Sequence, residues 1–164
     1  ARERGSPGSA PRQGGHAPNL ESTENLGVLA RTLARIHAIG ATVPFSHRPA
    51  LSVARLGTES RAYLLDHGFV PLELEAAYTS VTEHLLARIG TALAQMPTDT
   101  RIHGDCHPGN LLWRGDTPHF VDFDDCVNGP PIQDLWMLLA GEREERQGQL
   151  NAILDAYEVF HEFD

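Results

Sequence analysis

His103-Gly104-Asp105-Cys106-His107-Pro108-Gly109-Asn110, then Leu111-Leu112-Trp113 and, twelve residues after Asn110, Asp122: this stretch decides the reading of the 164-residue sequence. It supplies a carboxylate, an amide five residues later, and a second carboxylate at the end of a short apolar run. Those groups suit the acceptance of a hydroxyl proton and the holding of a magnesium ion on nucleotide phosphates. Leu111-Leu112-Trp113 and His119-Phe120-Val121-Asp122 read as strands, with Arg114-Gly115-Asp116-Thr117-Pro118 as the turn and Arg101-Ile102-His103 as an extended lead-in. The expected unit is a loop, a small β-hairpin and an acidic strand end.

Phosphoryl transfer asks little covalent work of a protein and depends on positioning, metal charge and a proton acceptor. In the protein-kinase scheme a loop Asp takes the hydroxyl proton, an Asn five residues on binds metal, and an Asp beyond a hairpin binds the metals that bridge the phosphates. Asp105, Asn110 and Asp122 stand at those three places. Singly, each also fits a turn residue, a loop cap or a solvated strand end. The joint spacing, with His103 and the apolar run in between, is what points to a phosphotransferase.

Outward from this unit the chain is mostly helical. Leu26, Leu29, Leu33 and Ile36 recur at helical spacing from Thr23, with Gly40 where a helix ends and His37 as a packed or capping histidine on or beside the apolar face. Residues 41–70 read as irregular, with Tyr63-Leu64-Leu65 as a short helical or extended piece. Pro71 opens a long helix carrying Leu74, Tyr78, Val81, Leu85, Leu86, Ile89 and Leu93, all expected in the core, and Pro97 stops it. Pro130-Pro131 interrupts, Asp134 is expected to cap a helix through Leu135, Trp136, Leu138 and Leu139, and a last helix runs from about Glu142 to Phe160. Residues 1–20, rich in Gly, Pro, Ser and Ala, are expected to be a flexible linker or hinge remnant, and residues 21–164 a single domain.

Composition narrows the function. A net charge of −9, from 22 acidic and 13 basic residues, gives no footprint for nucleic acid or an anionic membrane. No apolar run reaches membrane-spanning length and no signal peptide is visible, so a cytoplasmic, monomeric protein is expected. Cys106 and Cys126 are too few for a disulfide framework and are expected as reduced thiols. All thirteen basic residues are arginine. Kinases and P-loop NTPases place a lysine on the nucleotide phosphates, and this sequence contains none.

His103-Gly104-Asp105-x-His107-x-x-Asn110 resembles the signature of the aminoglycoside-phosphotransferase and choline-kinase superfamily. Val121-Asp122-Phe123-Asp124-Asp125, Asn128-Gly129-Pro130 and Gln133-Asp134-Leu135-Trp136-Met137-Leu138-Leu139 resemble the bacterial stress response kinase A group, whose members phosphorylate protein serine and threonine. The resemblance covers most of the chain after about residue 20. It implies an α+β, mostly helical fold of the protein-kinase-like, aminoglycoside phosphotransferase type, with ATP and Mg2+ as cofactors. It also implies Asp105 as catalytic base, Asn110 and Asp122 as magnesium ligands, and His103, His107, Asp124 and Asp134 in support. Asp124 departs from the glycine of the protein-kinase Asp-Phe-Gly segment. In this superfamily the phosphate lysine belongs to an N-terminal lobe, so the chain is expected to be the C-terminal lobe, with that lobe absent, and to transfer phosphate poorly alone.

Three other readings use the same residues. One is a small-molecule kinase acting on an amino alcohol, aminoglycoside or related hydroxyl compound. Another is a metallohydrolase built on His103, Asp105, His107, His119 and Asp122, although it leaves Gly109-Asn110 without a role. The third is a non-catalytic lobe acting as a binding module.

Overall fold

The computed structural model describes residues 14–163. Helix α1 spans Thr23–Gly40, with Ser22 capping its start by accepting from the Asn25 amide. Its face of Leu26, Leu29, Ala30, Leu33 and Ala34 is fully buried against helix α5, Arg143–Tyr157, which contributes Ile153 and Tyr157. A reciprocal capping box between Glu142 and Glu145 starts α5 one residue inside the expected limit. Because Leu33 is 0% exposed in this core, Leu33→Ala is expected to cost about 3 kcal/mol of unfolding free energy. A urea midpoint equal to that of the parent chain would show that the α1–α5 contact is not the core.

The expected loop and hairpin form, inside a second ribbon that the sequence did not announce. Strand β2, Leu111–Arg114, pairs antiparallel with β3, Thr117–Phe120, through a turn of only Gly115 and Asp116. Gly115 has φ 57°, the left-handed backbone that two-residue hairpin turns demand. Thr117 and Pro118, expected in the turn, belong to β3. Leu111 and Trp113 point into the core while Arg114 is exposed. Strand β1, Arg101–Ile102, pairs antiparallel with β4, Val127–Asn128. That pairing brings the start of the 103–110 loop beside the end of the 122–126 turn.

Several expectations change. Of the stretch 1–20, residues 1–13 lie outside the described residues. In the remainder, His16 exchanges both backbone hydrogen bonds with Trp113, at 3.0 and 2.8 Å. Residues 41–70 are more helical than expected, with a π-helical turn at Ala54–Thr58 leading into α2, Glu59–Asp66. Helix α3, Leu72–Leu93, forms as expected, yet none of its residues is buried, and Leu74, Val81, Leu85 and Ile89 are exposed. Periodicity reveals which face of a helix is apolar, not whether another element covers it. Here α3 meets the π turn across a groove lined by Leu51, Val53, Leu56, Leu86 and Leu93. Finally, α4 is short, Ile132–Leu135, followed by a single tight turn at Trp136–Leu138. Asp134 lies inside α4 and does not cap it; the N-cap is Pro131, with no side-chain hydrogen bond.

Candidate active site

Asp105 and Asn110 are joined directly. The Asn110 side-chain nitrogen donates to the Asp105 carbonyl at 2.9 Å and to its carboxylate at 3.2 Å. Both acceptors are oxygens, which fixes the amide orientation and leaves Asn110 Oδ1 as the atom open to coordination. The backbone carbonyl of the same residue accepts from the Val121 amide at 3.0 Å. Asp122 therefore follows a residue anchored to Asn110, and the hairpin closes the twelve-residue sequence gap.

Asp122 is the one non-glycine residue with positive φ among the described residues, at φ 61° and ψ 68°. Left-handed backbone costs a non-glycine residue about 1–2 kcal/mol. Such conformations persist where the surroundings impose them, and they cluster at functional sites. The Asp122 side chain is exposed and has no hydrogen-bond or ion-pair partner among the described residues. A tight turn, Phe123–Asp125, follows.

The loop itself is held by Asp134. This carboxylate is fully buried and accepts from the amides of His103 at 2.7 Å and Gly104 at 2.8 Å. Gly104 has φ 86°, and a Cβ there would strike the Asp125 carbonyl, so the crossing of the loop over the 122–126 turn requires glycine. His103 is buried, donating from Nε2 to the Val121 carbonyl at 2.9 Å, with Nδ1 3.4 Å from the Asp105 amide. Its ring leans on Phe123 at 4.8 Å between centroids. His107 accepts from the Gly109 amide through Nδ1, which leaves Nε2 facing Asp105 Oδ2 at 3.6 Å.

These contacts give His103 a bracing role, since both ring nitrogens face the backbone. Among the described residues no three His, Cys, Asp or Glu side chains are grouped so that they could hold a metal ion. The oxygens of Asn110 and Asp122 are instead the hard donors that magnesium prefers alongside phosphate and water.

Asp105 and Gly104 open onto a cavity of about 270 Å³ whose wall includes Asp124, Asp125, Arg48 and Gln133. Arg48 was not singled out by the sequence. Its Nη1 donates to the carbonyls of Phe123, Asp124 and Cys126 at 3.3, 2.6 and 3.0 Å, tying down the turn after Asp122. Asn128 holds the Arg48 segment in place through two hydrogen bonds with the Phe45 backbone, at 2.7 and 2.9 Å. Gln133 donates to the Gly104 carbonyl at 3.2 Å. All three contacts are long-range in sequence, where spacing carries no signal.

Both cysteines are poor thiolates. Burial, then Asp134 and Asp105, push the Cys106 thiol far up from its ordinary range. Burial also raises Cys126, against an opposing pull from Arg48. Because deprotonation moves to higher pH, native Cys106 is expected to resist iodoacetamide at neutral pH and to react only after unfolding. Rapid labelling of the folded protein, read by mass spectrometry, would contradict this environment.

Over residues 4–164 the sequence matches the APH family, described as a phosphotransferase enzyme family. It is 42% identical over 154 residues to stress response kinase A of Escherichia coli O157:H7, covering 94% of this chain and 47% of that protein. It is 40% identical, with the same coverage, to a protein of Salmonella typhimurium named serine/threonine protein kinase RdoA. The chain spans about half the length of the curated relatives it matches. Its structure is similar to that of the amicoumacin kinase hAmiN in complex with AMP-PNP, Ca2+ and Ami, with a TM-score of 0.67 and 17% identity over 95% of this chain and 48% of that one. The fold is thus the expected α+β, mostly helical, aminoglycoside-kinase-like lobe. Since the family match runs through the 103–110 loop, the hairpin, Asp122 and Asp134, the chain belongs to the phosphotransferase enzyme family.

Proposed function

We propose that this chain is the C-terminal lobe of an ATP-dependent kinase that phosphorylates serine or threonine hydroxyls on proteins. In this reading Asp105 accepts the hydroxyl proton, and Asn110 and Asp122 hold Mg2+. The observation that supports it is the Asn110 bridge: its side-chain amide is bonded to Asp105 and its carbonyl accepts from Val121, so the base and one metal side chain are joined and the backbone leading into Asp122 is tied to both. Bound magnesium supplies the positive charge that offsets the phosphates. The chain's own residues orient the acceptor oxygen toward Asp105 and keep the loop rigid. The AMP-PNP and Ca2+ bound to the amicoumacin kinase support a nucleotide and a divalent cation as ligands.

The lysine expected on the phosphates has to come from outside these 164 residues, which contain none. We therefore expect the 164-residue chain alone to transfer phosphate poorly. The reading takes the protein to be cytoplasmic and monomeric; no helix among the described residues is long and apolar enough to cross a membrane. The name of the Salmonella typhimurium relative, a serine/threonine protein kinase, supports a protein acceptor. The named substrate of the amicoumacin kinase favours the second reading, a small hydroxyl compound. Radiolabelled ATP offered to a polypeptide that joins this chain to a nucleotide-gripping lobe separates the two. Label on protein serine or threonine supports the first, and label only on aminoglycoside or choline-like acceptors the second.

Asp122→Ala is expected to weaken magnesium-nucleotide binding by at least about tenfold, the scale of loss seen even for groups one step removed from a metal. Calorimetry in which Asp122→Ala binds magnesium-nucleotide as tightly as the parent would remove Asp122 from the metal site.

A further inference from the structure

The apolar face that α3 leaves uncovered has a definite place relative to Asp105. Its groove, a cavity of about 360 Å³, is lined by Leu51, Leu56, Leu85, Leu86, Ile89 and Leu93. Leu51 and Leu56 also line the cavity onto which Asp105 opens. The two hollows therefore adjoin, with these leucines as the partition between them. Leu56, Leu85 and Ile89 are 58%, 53% and 43% exposed, so the groove is open to solvent. Contiguous exposed apolar surface of this kind marks binding sites. The partition is tied to the catalytic elements. The Leu51 amide donates to the Asn128 carbonyl at 2.7 Å, and the Asn128 amide to the Pro49 carbonyl at 3.2 Å. Asn128 pairs in turn with Arg101, just before His103. On the far side Gly57 lets Leu86 of α3 lie against the π turn, since a Cβ at that position would strike the Leu86 methyl group.

Charge separates the two hollows. Arg48, Arg55, Asp124 and Asp125 stand in the wall of the Asp105 cavity, whereas no ionisable side chain among the described residues lines the groove. We propose that the groove receives a large aliphatic side chain of the acceptor polypeptide, flanking the serine or threonine whose hydroxyl faces Asp105. Adjoining hollows of this size have centres about 10 Å apart, which an extended chain crosses in about three residues. This deepens the protein-kinase reading and rests on it. A cationic or polyhydroxyl acceptor finds no partner in the groove, because burying polar groups against leucines costs free energy. An aliphatic side chain gains by the same burial. The groove thus selects among polypeptide acceptors by a neighbour of the reacting residue, on a surface that the proton and metal chemistry does not use.

The test is methyl NMR of the 164-residue protein titrated with two short peptides, each carrying a single serine. In one, leucine stands at that spacing on either side of the serine; in the other, glutamine replaces it. The leucine peptide is expected to shift the methyl groups of Leu85, Ile89 and Leu93 together with the Asp105 amide. It is expected to bind about tenfold more tightly than the glutamine peptide, the worth of burying one leucine side chain. Leu85→Gln combined with Ile89→Gln should erase that preference, and both positions are exposed, so the fold does not depend on them. Leu74→Gln, at an exposed apolar position of α3 outside the groove, should leave the preference intact. Equal affinity for the two peptides, or a preference that survives the double variant, overturns the proposal. So does a double variant that changes the sedimentation of the free protein while neither peptide shifts the groove, which would assign the groove to a second copy of the chain. Phosphate transfer by the joined polypeptide separates this inference from the reading beneath it. Label confined to small hydroxyl compounds refutes the protein acceptor, whereas equal labelling of both peptides keeps the protein acceptor and removes the groove.

Discussion

Asp105→Ala is expected to lower phosphoryl transfer by about 10²–10⁴-fold while leaving magnesium-nucleotide binding nearly unchanged, in a polypeptide that joins this chain to a nucleotide-gripping lobe. Asp105 lines the cavity, whereas the proposed metal side chains, Asn110 and Asp122, lie outside its wall. Removing the carboxylate leaves the Asn110 bond to the Asp105 backbone carbonyl, so the metal amide keeps its stronger anchor at 2.9 Å. Asp105→Asn is the finer variant, since it preserves an oxygen acceptor for Asn110 and deletes only the proton-accepting charge. Comparable losses in both variants would identify basicity as the missing property. Full activity in Asp105→Ala would refute the assigned base.

The largest stability effect is expected at Asp134. Asp134→Ala leaves the amides of His103 and Gly104 and the Nε2 proton of His37 without their acceptor, and Asp134 is 0% exposed. Breaking such a buried charged network by removing one partner costs about 3–5 kcal/mol. For a domain of this size that corresponds to a fall of about 10 °C in melting temperature. Asp134→Asn should lose less, because one oxygen remains to accept. Differential scanning fluorimetry of the two variants would show the ranking. A melting temperature unchanged in Asp134→Ala would mean that water satisfies those donors and that the loop does not depend on this residue.

The sequence made the local features legible and the long-range ones obscure. The hairpin and the long helices follow from turn chemistry and helical period, and the five-residue step from Asp105 to Asn110 is one that lets the two side chains meet, all of which act over a few residues. The β1–β4 ribbon joins two-residue strands 26 positions apart, too short to carry a period. Arg48 reaches the 123–126 carbonyls across about 75 residues, and nothing in its own neighbourhood marks it. For Asp134 the local pattern, an Asp before an apolar run, suggested a helix cap that does not form, and only the family resemblance placed it in support of the loop, whose His103 and Gly104 amides it accepts from. The exposed face of α3 shows the opposite limit, since an apolar period was read correctly and its burial was not.

The most direct test of the central claim, that Asn110 and Asp122 form a magnesium pair beside Asp105, is an NMR titration of the protein with Mg2+, with and without AMP-PNP. The expected result is weak binding that shifts the Asn110 side-chain amide and the Asp122 backbone, tightens with nucleotide, survives Asp105→Ala and disappears in Asp122→Ala. Shifts centred on His103, His107 and His119, together with stoichiometric zinc or manganese retained through purification, would contradict it.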